Sequence, residues 1–131
     1  MKNFFLAIII IASFSHCGRH YRDWNVHFWS SNTLENDLHL FINGKESGIV
    51  PVLSTAPSCN DDQSKKQALS MLLPSGKYKL ELKDNRGKTI AAETFKIFYS
   101  SHDITISSTV ERGFPSPRSI SSGTCLIHEF K

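Results

Sequence analysis

The stretch from Leu38 to Pro51 constrains this chain most. Leu38, Leu40 and Ile42 fall on one phase of a two-residue period, with Asp37, His39, Phe41 and Asn43 on the other. That is the pattern of a half-buried strand. Asn43-Gly44 follows, two residues that tolerate the positive φ angles of a tight hairpin turn. The return arm runs through Gly48, Ile49 and Val50 to Pro51. Proline has no N–H to give to a ladder, so it marks an edge or a strand end. The stretch predicts a β-hairpin, and its special residues are explained by backbone geometry.

The rest of the chain repeats the theme. Trp24, Val26 and Phe28 alternate with Asn25, His27 and Trp29. Ala68–Leu73 is an apolar run that Pro74 ends too soon for a stable helix. From Lys77 to Lys83 the alternation is faultless, with Tyr78, Leu80 and Leu82 inward and lysines and Glu81 outward. Asp84–Gly87 predicts the next turn, and Lys88–Tyr99 the return strand. Its phase slips between Ile90/Ala92 and Phe95/Ile97/Tyr99, which predicts a bulge near Glu93-Thr94. Asp103–Val110 and Thr124–Phe130 complete the set, separated by a Gly/Pro linker over Arg112–Pro117. About seven short strands with turn residues between them predict an all-β, antiparallel β-sandwich of Ig-like type.

Ahead of this domain the chain has a different character. Lys2 precedes an unbroken apolar run, Phe4–Ala12. The run suits the core of a secretory signal and is too short to span a bilayer. Ser15-His16-Cys17-Gly18 then resembles a relaxed form of the lipobox of bacterial lipoproteins, with Phe14 and His16 where that motif commonly has leucine and a small residue. The resemblance implies cleavage before Cys17, acyl chains (palmitate among them) on that cysteine, and anchoring in the cell envelope, at the outer membrane. It divides the chain into a signal peptide (1–16), a tether (17–23) and a β-sandwich domain (24–131). The plainer alternative is an ordinary secretory signal and a soluble domain without lipid.

The chain has three cysteines. With Cys17 assigned to lipid, Cys59 and Cys125 remain as a pair in an oxidising compartment, where a disulfide is the expected outcome. A free pair or a reactive thiol is the other reading; no Cys-x-x-Cys spacing supports a metal site. Cys59 sits in Ser54–Lys66, a stretch of loop composition that would be loose without such a tie.

Two pieces resemble PEGA-type domains: Phe41-Ile-Asn-Gly-Lys45 with Gly48-Ile-Val-Pro51, and Leu73-Pro-Ser-Gly-Lys-Tyr-Lys-Leu80. Ser75 and Lys77 depart from the namesake Pro-Glu-Gly-Ala turn, while Pro74 and Gly76 match. The likeness implies a small β-sandwich of bacterial envelope proteins, displayed without catalytic residues. It carries over no functional residue.

Composition narrows the function classes. Net charge is +3 and the basic residues are scattered, with Lys65-Lys66 the only adjacent pair. Nucleic-acid binding would need a clustered stripe. Nucleophile elbows, P-loops and His-Glu-x-x-His helices are absent, so no catalytic residue and no cofactor are expected. Two binding readings remain. His27 and His39 lie on the outward phase of strands adjacent in sequence, so a cross-strand pair could hold copper or zinc, with His102 or His128 as a third ligand. Alternatively His27, Trp29, His39 and Phe41 form an exposed patch for contact with an envelope protein or glycan. If the outward face is covered instead, by a second sheet or the Ser54–Lys66 loop, the patch does not exist.

Overall fold

The computed structural model describes residues 22–33, 37–99, 104–112 and 118–131. Cys17, the segment before it and His102 lie outside them. Among the described residues nine strands and one helix follow in order: β1 (Asp23–Ser30), β2 (Leu38–Ile42), β3 (Lys45–Val50), α1 (Asp62–Lys65), β4 (Leu69–Pro74), β5 (Gly76–Lys83), β6 (Thr89–Tyr99), β7 (Ile104–Arg112), β8 (Arg118–Ser122) and β9 (Cys125–Phe130). They form two sheets, ordered β4-β1-β9-β8 and β3-β2-β5-β6-β7. The fold is the β-sandwich that the alternation predicts. Among the described residues no helix is long and apolar enough to cross a membrane.

The central hairpin forms as expected. Asn43 and Gly44 have φ of 51° and 82°, the two positive angles that a two-residue hairpin loop requires. Asn43 also ties the turn to β5: its N–H donates to the Lys79 carbonyl at 2.8 Å, and its side-chain oxygen accepts from the Lys79 N–H at 2.8 Å. Gly48 has a different reason. Its φ is +146°, and a Cβ placed there would lie 2.7 Å from Cδ1 of Leu69. At this position β3 of one sheet meets β4 of the other, and a side chain would be strained by the backbone and would push the end of the Leu69 side chain aside.

The phase slip in β6 is real, but its placement differs from expectation. Against β5 the register shifts between Leu82 and Lys83, leaving Ile90 without a partner. Against β7 it shifts between Ala92 and Glu93, leaving Glu111 without one. The irregularity therefore precedes Glu93-Thr94, and from Ala91 onward the odd-numbered residues point inward. Glu93 is among them.

Two further features depart from the sequence reading. Arg118–Ser122, beyond the predicted linker, is a strand, recruited as a hairpin onto β9 across the Ser122–Cys125 turn. And β1 pairs with β9 in parallel, Asn25 with Cys125 through Ser30 with Phe130. Hairpins make neighbours in sequence antiparallel; β1 and β9 are far apart in sequence and free of that constraint.

The core lies between the sheets. Trp24, Val26 and Phe28 of β1 meet Leu38 and Leu40 of β2, Leu80 and Leu82 of β5, Phe95 and Ile97 of β6, and Leu126 and Phe130 of β9. Burying each such side chain contributes about 1.5–3 kcal/mol. β1 is unusual because every residue from Val26 to Ser30 is buried. A strand hydrogen-bonded on both edges, with its second face covered, leaves little for solvent. The cover over that second face is the segment between β3 and β4.

Candidate functional site

The cover is built locally before it is tied down. Segment 51–53 joins the end of β1: the Ser30 N–H donates to the Pro51 carbonyl, and the Leu53 N–H to the Ser30 carbonyl, both at 3.0 Å. Asp61 then caps the single-turn helix α1, its side chain accepting from the Gln63 N–H at 2.9 Å. Cys59 is bonded to Cys125 on β9. Cys125 lies opposite Asn25, so its side chain is on the same outer face of the four-stranded sheet as His27 and Trp29. The disulfide expected from cysteine counting is therefore formed, and it fastens Ser54–Lys66 across that face.

This placement overturns the single exposed patch. Trp29 is 4% exposed and His27 8%. The Trp29 indole N–H has no hydrogen-bond partner among the described residues. His27 Nδ1 lies 2.6 Å from the Ser70 hydroxyl of β4. Its pKa is lowered, first by burial, which disfavours the imidazolium, and second by the nearby Lys65 ammonium. His39 and Phe41 are in the other sheet, on its solvent-facing side. The two expected halves of the patch thus lie on opposite outer faces of the sandwich.

The metal reading is overturned by the same fact. His27 is in the four-stranded sheet and His39 in the five-stranded one, so they are not cross-strand neighbours. His128, the guessed third ligand, is fully buried in the core. Among the described residues no group of three or more His, Cys, Asp or Glu side chains could hold a metal ion.

The outer face of the five-stranded sheet is open to solvent, and on the other sheet Leu72 and Ile120 stay exposed beside the cover that buries His27 and Trp29. His39 Nδ1 contacts Glu46 Oε1 at 2.6 Å. Lys83 Nζ stands 4.2 Å from the centroid of the Phe41 ring, a cation–π arrangement. Ile49, opposite His39 on β3, is 53% exposed. The result is an aromatic ring and an aliphatic side chain among charged groups on an open strand face; aromatic residues are enriched where proteins make contact. A second open feature is a depression of about 400 Å³ between residues 52–56 and α1, which Ser54, Thr55, Ser64 and Gln67 line with hydroxyl and amide groups and no charge.

The sequence reading missed one polar constellation. His128 Nε2 lies 2.5 Å from Glu93 Oε1, and Nδ1 lies 2.9 Å from the Ser119 hydroxyl. Serine, histidine and carboxylate in file are the parts of an acyl-transfer triad. Here the imidazole is packed among Phe28, Phe95 and Phe130, with ring centroids 5.7, 4.8 and 4.8 Å away. That packing leaves the ring no approach for a substrate, so the His128–Glu93 contact acts as a crosslink between the sheets. The signal was present in the sequence: Glu93 shares the inward phase of Phe95 and Ile97.

No protein family matches the chain, and neither a curated protein nor a solved structure matches it.

Proposed function

We propose that this chain is an exported, lipid-anchored protein of the bacterial cell envelope, displaying a PEGA-like, non-catalytic β-sandwich for contact with an envelope protein or glycan. The Cys59–Cys125 bridge carries the reading. Disulfides form and persist in oxidising compartments, which agrees with the signal-like segment before Cys17. Of the three cysteines in the chain two are in the bridge, so Cys17 is the one left to carry lipid. Two or more acyl chains hold a folded domain at a bilayer where one is marginal. Contact is assigned to the outer face of the five-stranded sheet, through His39, Phe41 and Ile49, because on the other sheet the cover buries His27 and Trp29.

Metabolic labelling with palmitate in a Gram-negative host tests the anchoring. The wild-type chain takes up label and sediments with membranes, and Cys17→Ser loses both. A mature, membrane-free protein that begins after Cys17 overturns the reading. Contact is tested by crosslinking in intact cells: adducts formed by the wild type are lost on Phe41→Ala and unchanged on Leu72→Ala.

A further inference from the structure

The strands run between two ends of the sandwich, and one end differs from the other. β1 starts there with Asp23 beside Pro74, and the Ser75 N–H donates to the Arg22 carbonyl at 2.9 Å. The Arg22 guanidinium lies over two rings, 5.6 Å from Trp24 and 5.2 Å from Tyr99. Lys77 and Lys96 are directly opposite each other across β5 and β6. Like charges in that relation repel. Phe98 follows Lys96 on the same face and is 50% exposed, and Tyr99 is 37% exposed. Among the described residues, Asp23 puts a carboxylate at this end as well.

Cys17 precedes Arg22 by five residues, a reach of at most about 18 Å even when fully extended. An acyl anchor on Cys17 therefore holds this end against the bilayer surface.

We infer that this rim, formed by Arg22, Lys77, Lys96, Phe98 and Tyr99, docks on the anionic headgroup region of the membrane that carries the anchor. The inference rests on the lipid-anchored reading above for where the membrane lies. Exposed aromatic rings sit well at headgroup depth, and basic side chains are drawn to anionic lipid. An anionic surface also relieves the Lys77–Lys96 repulsion. The domain then stands upright on its tether, with the Lys83–Lys88 end outward and the His39–Phe41 face sideways, free for a partner.

The test uses the mature chain with Cys17→Ser, so that binding reports the rim and not the acyl chains. It is sedimented with vesicles of phosphatidylcholine alone or mixed with phosphatidylglycerol. The expected result is binding to the mixed vesicles only, reversed by high salt. At about fivefold per basic residue, Lys77→Gln with Lys96→Gln weakens it roughly 25-fold. Phe98→Ala weakens it further, and Lys88→Gln at the opposite end leaves it unchanged. The salt titration of the unsubstituted protein reads the same property should a variant fold poorly. Absence of binding to the mixed vesicles overturns the inference, as does equal binding to both compositions. Self-association that Phe98→Ala abolishes also overturns it, since the occupant would then be a second copy. Failure of palmitate labelling alongside salt-sensitive vesicle binding would sink the anchor and leave the rim standing.

Discussion

The imidazole of His128 and the carboxylate of Glu93 meet at 2.5 Å in the middle of the core, one from each sheet. Neither contacting atom has a hydrogen bond of good geometry among the described residues, so proximity, not alignment, defines the contact. Removing one member of such a pair leaves a buried polar group alone, at about 3–5 kcal/mol. Replacing both by apolar residues removes the problem. Glu93→Leu and His128→Leu are each expected to destabilise by that amount, and the double variant by less than their sum. Urea unfolding of the three variants gives the coupling; strict additivity would refute it.

The Cys59–Cys125 bridge spans 66 residues of sequence. On the chain-entropy argument a loop of that length contributes about 4 kcal/mol. Cys59→Ser with Cys125→Ser is expected to lose about that much. The bridge also fastens the cover over Trp29, so reduction should shift tryptophan emission to the red. A thiol count on the unreduced, denatured mature protein should find neither cysteine free; two free thiols there would remove the bridge from the account.

His27 makes stability depend on pH. Its folded pKa lies below the ordinary value of 6.5, chiefly through burial and secondarily through Lys65. The folded state thus binds this proton less readily than the unfolded state. Its contribution is fully present above about pH 6.5 and declines as pH falls through the folded pKa. Melting temperatures of the wild type and His27→Gln should therefore converge on acidification, relative to their difference at pH 8. Parallel curves across that range would show that the histidine is not involved.

Gly48 should be destabilised by any side chain. Its backbone is in the region that favours glycine, and Leu69 occupies the space of a Cβ. Gly48→Ala is expected to cost about 1–3 kcal/mol. Gly44→Asn, in a turn open to solvent, should cost far less because asparagine tolerates positive φ. Equal losses at the two positions would show that the approach of Leu69 is not the reason for Gly48.

Much of the fold was legible because period-two alternation and turn chemistry are local. Asn43-Gly44, Asp84–Gly87 and the Lys77–Lys83 strand need only their neighbours to be read. The candidate surface was legible by halves. Alternation distinguishes the two sides of a strand, and it correctly put His27 and Trp29 on the side away from Trp24. It does not say whether that side meets water. Ser54–Lys66 decides this, through a bond to a cysteine at the far end of the chain.

The residues alone determined most of the strands, their hairpin turns and the expectation that Cys59 pairs with Cys125, since each follows from spacing or from counting. Only the tertiary structure decided that β1 and β9 run in parallel, and that His27 and His39 face opposite ways. It also brought His128 onto Glu93. These are relations between segments far apart in sequence, and loop closure over such distances is nearly indifferent to length. Which segments meet is therefore set by how whole faces pack together, and that is written in no single stretch of the chain.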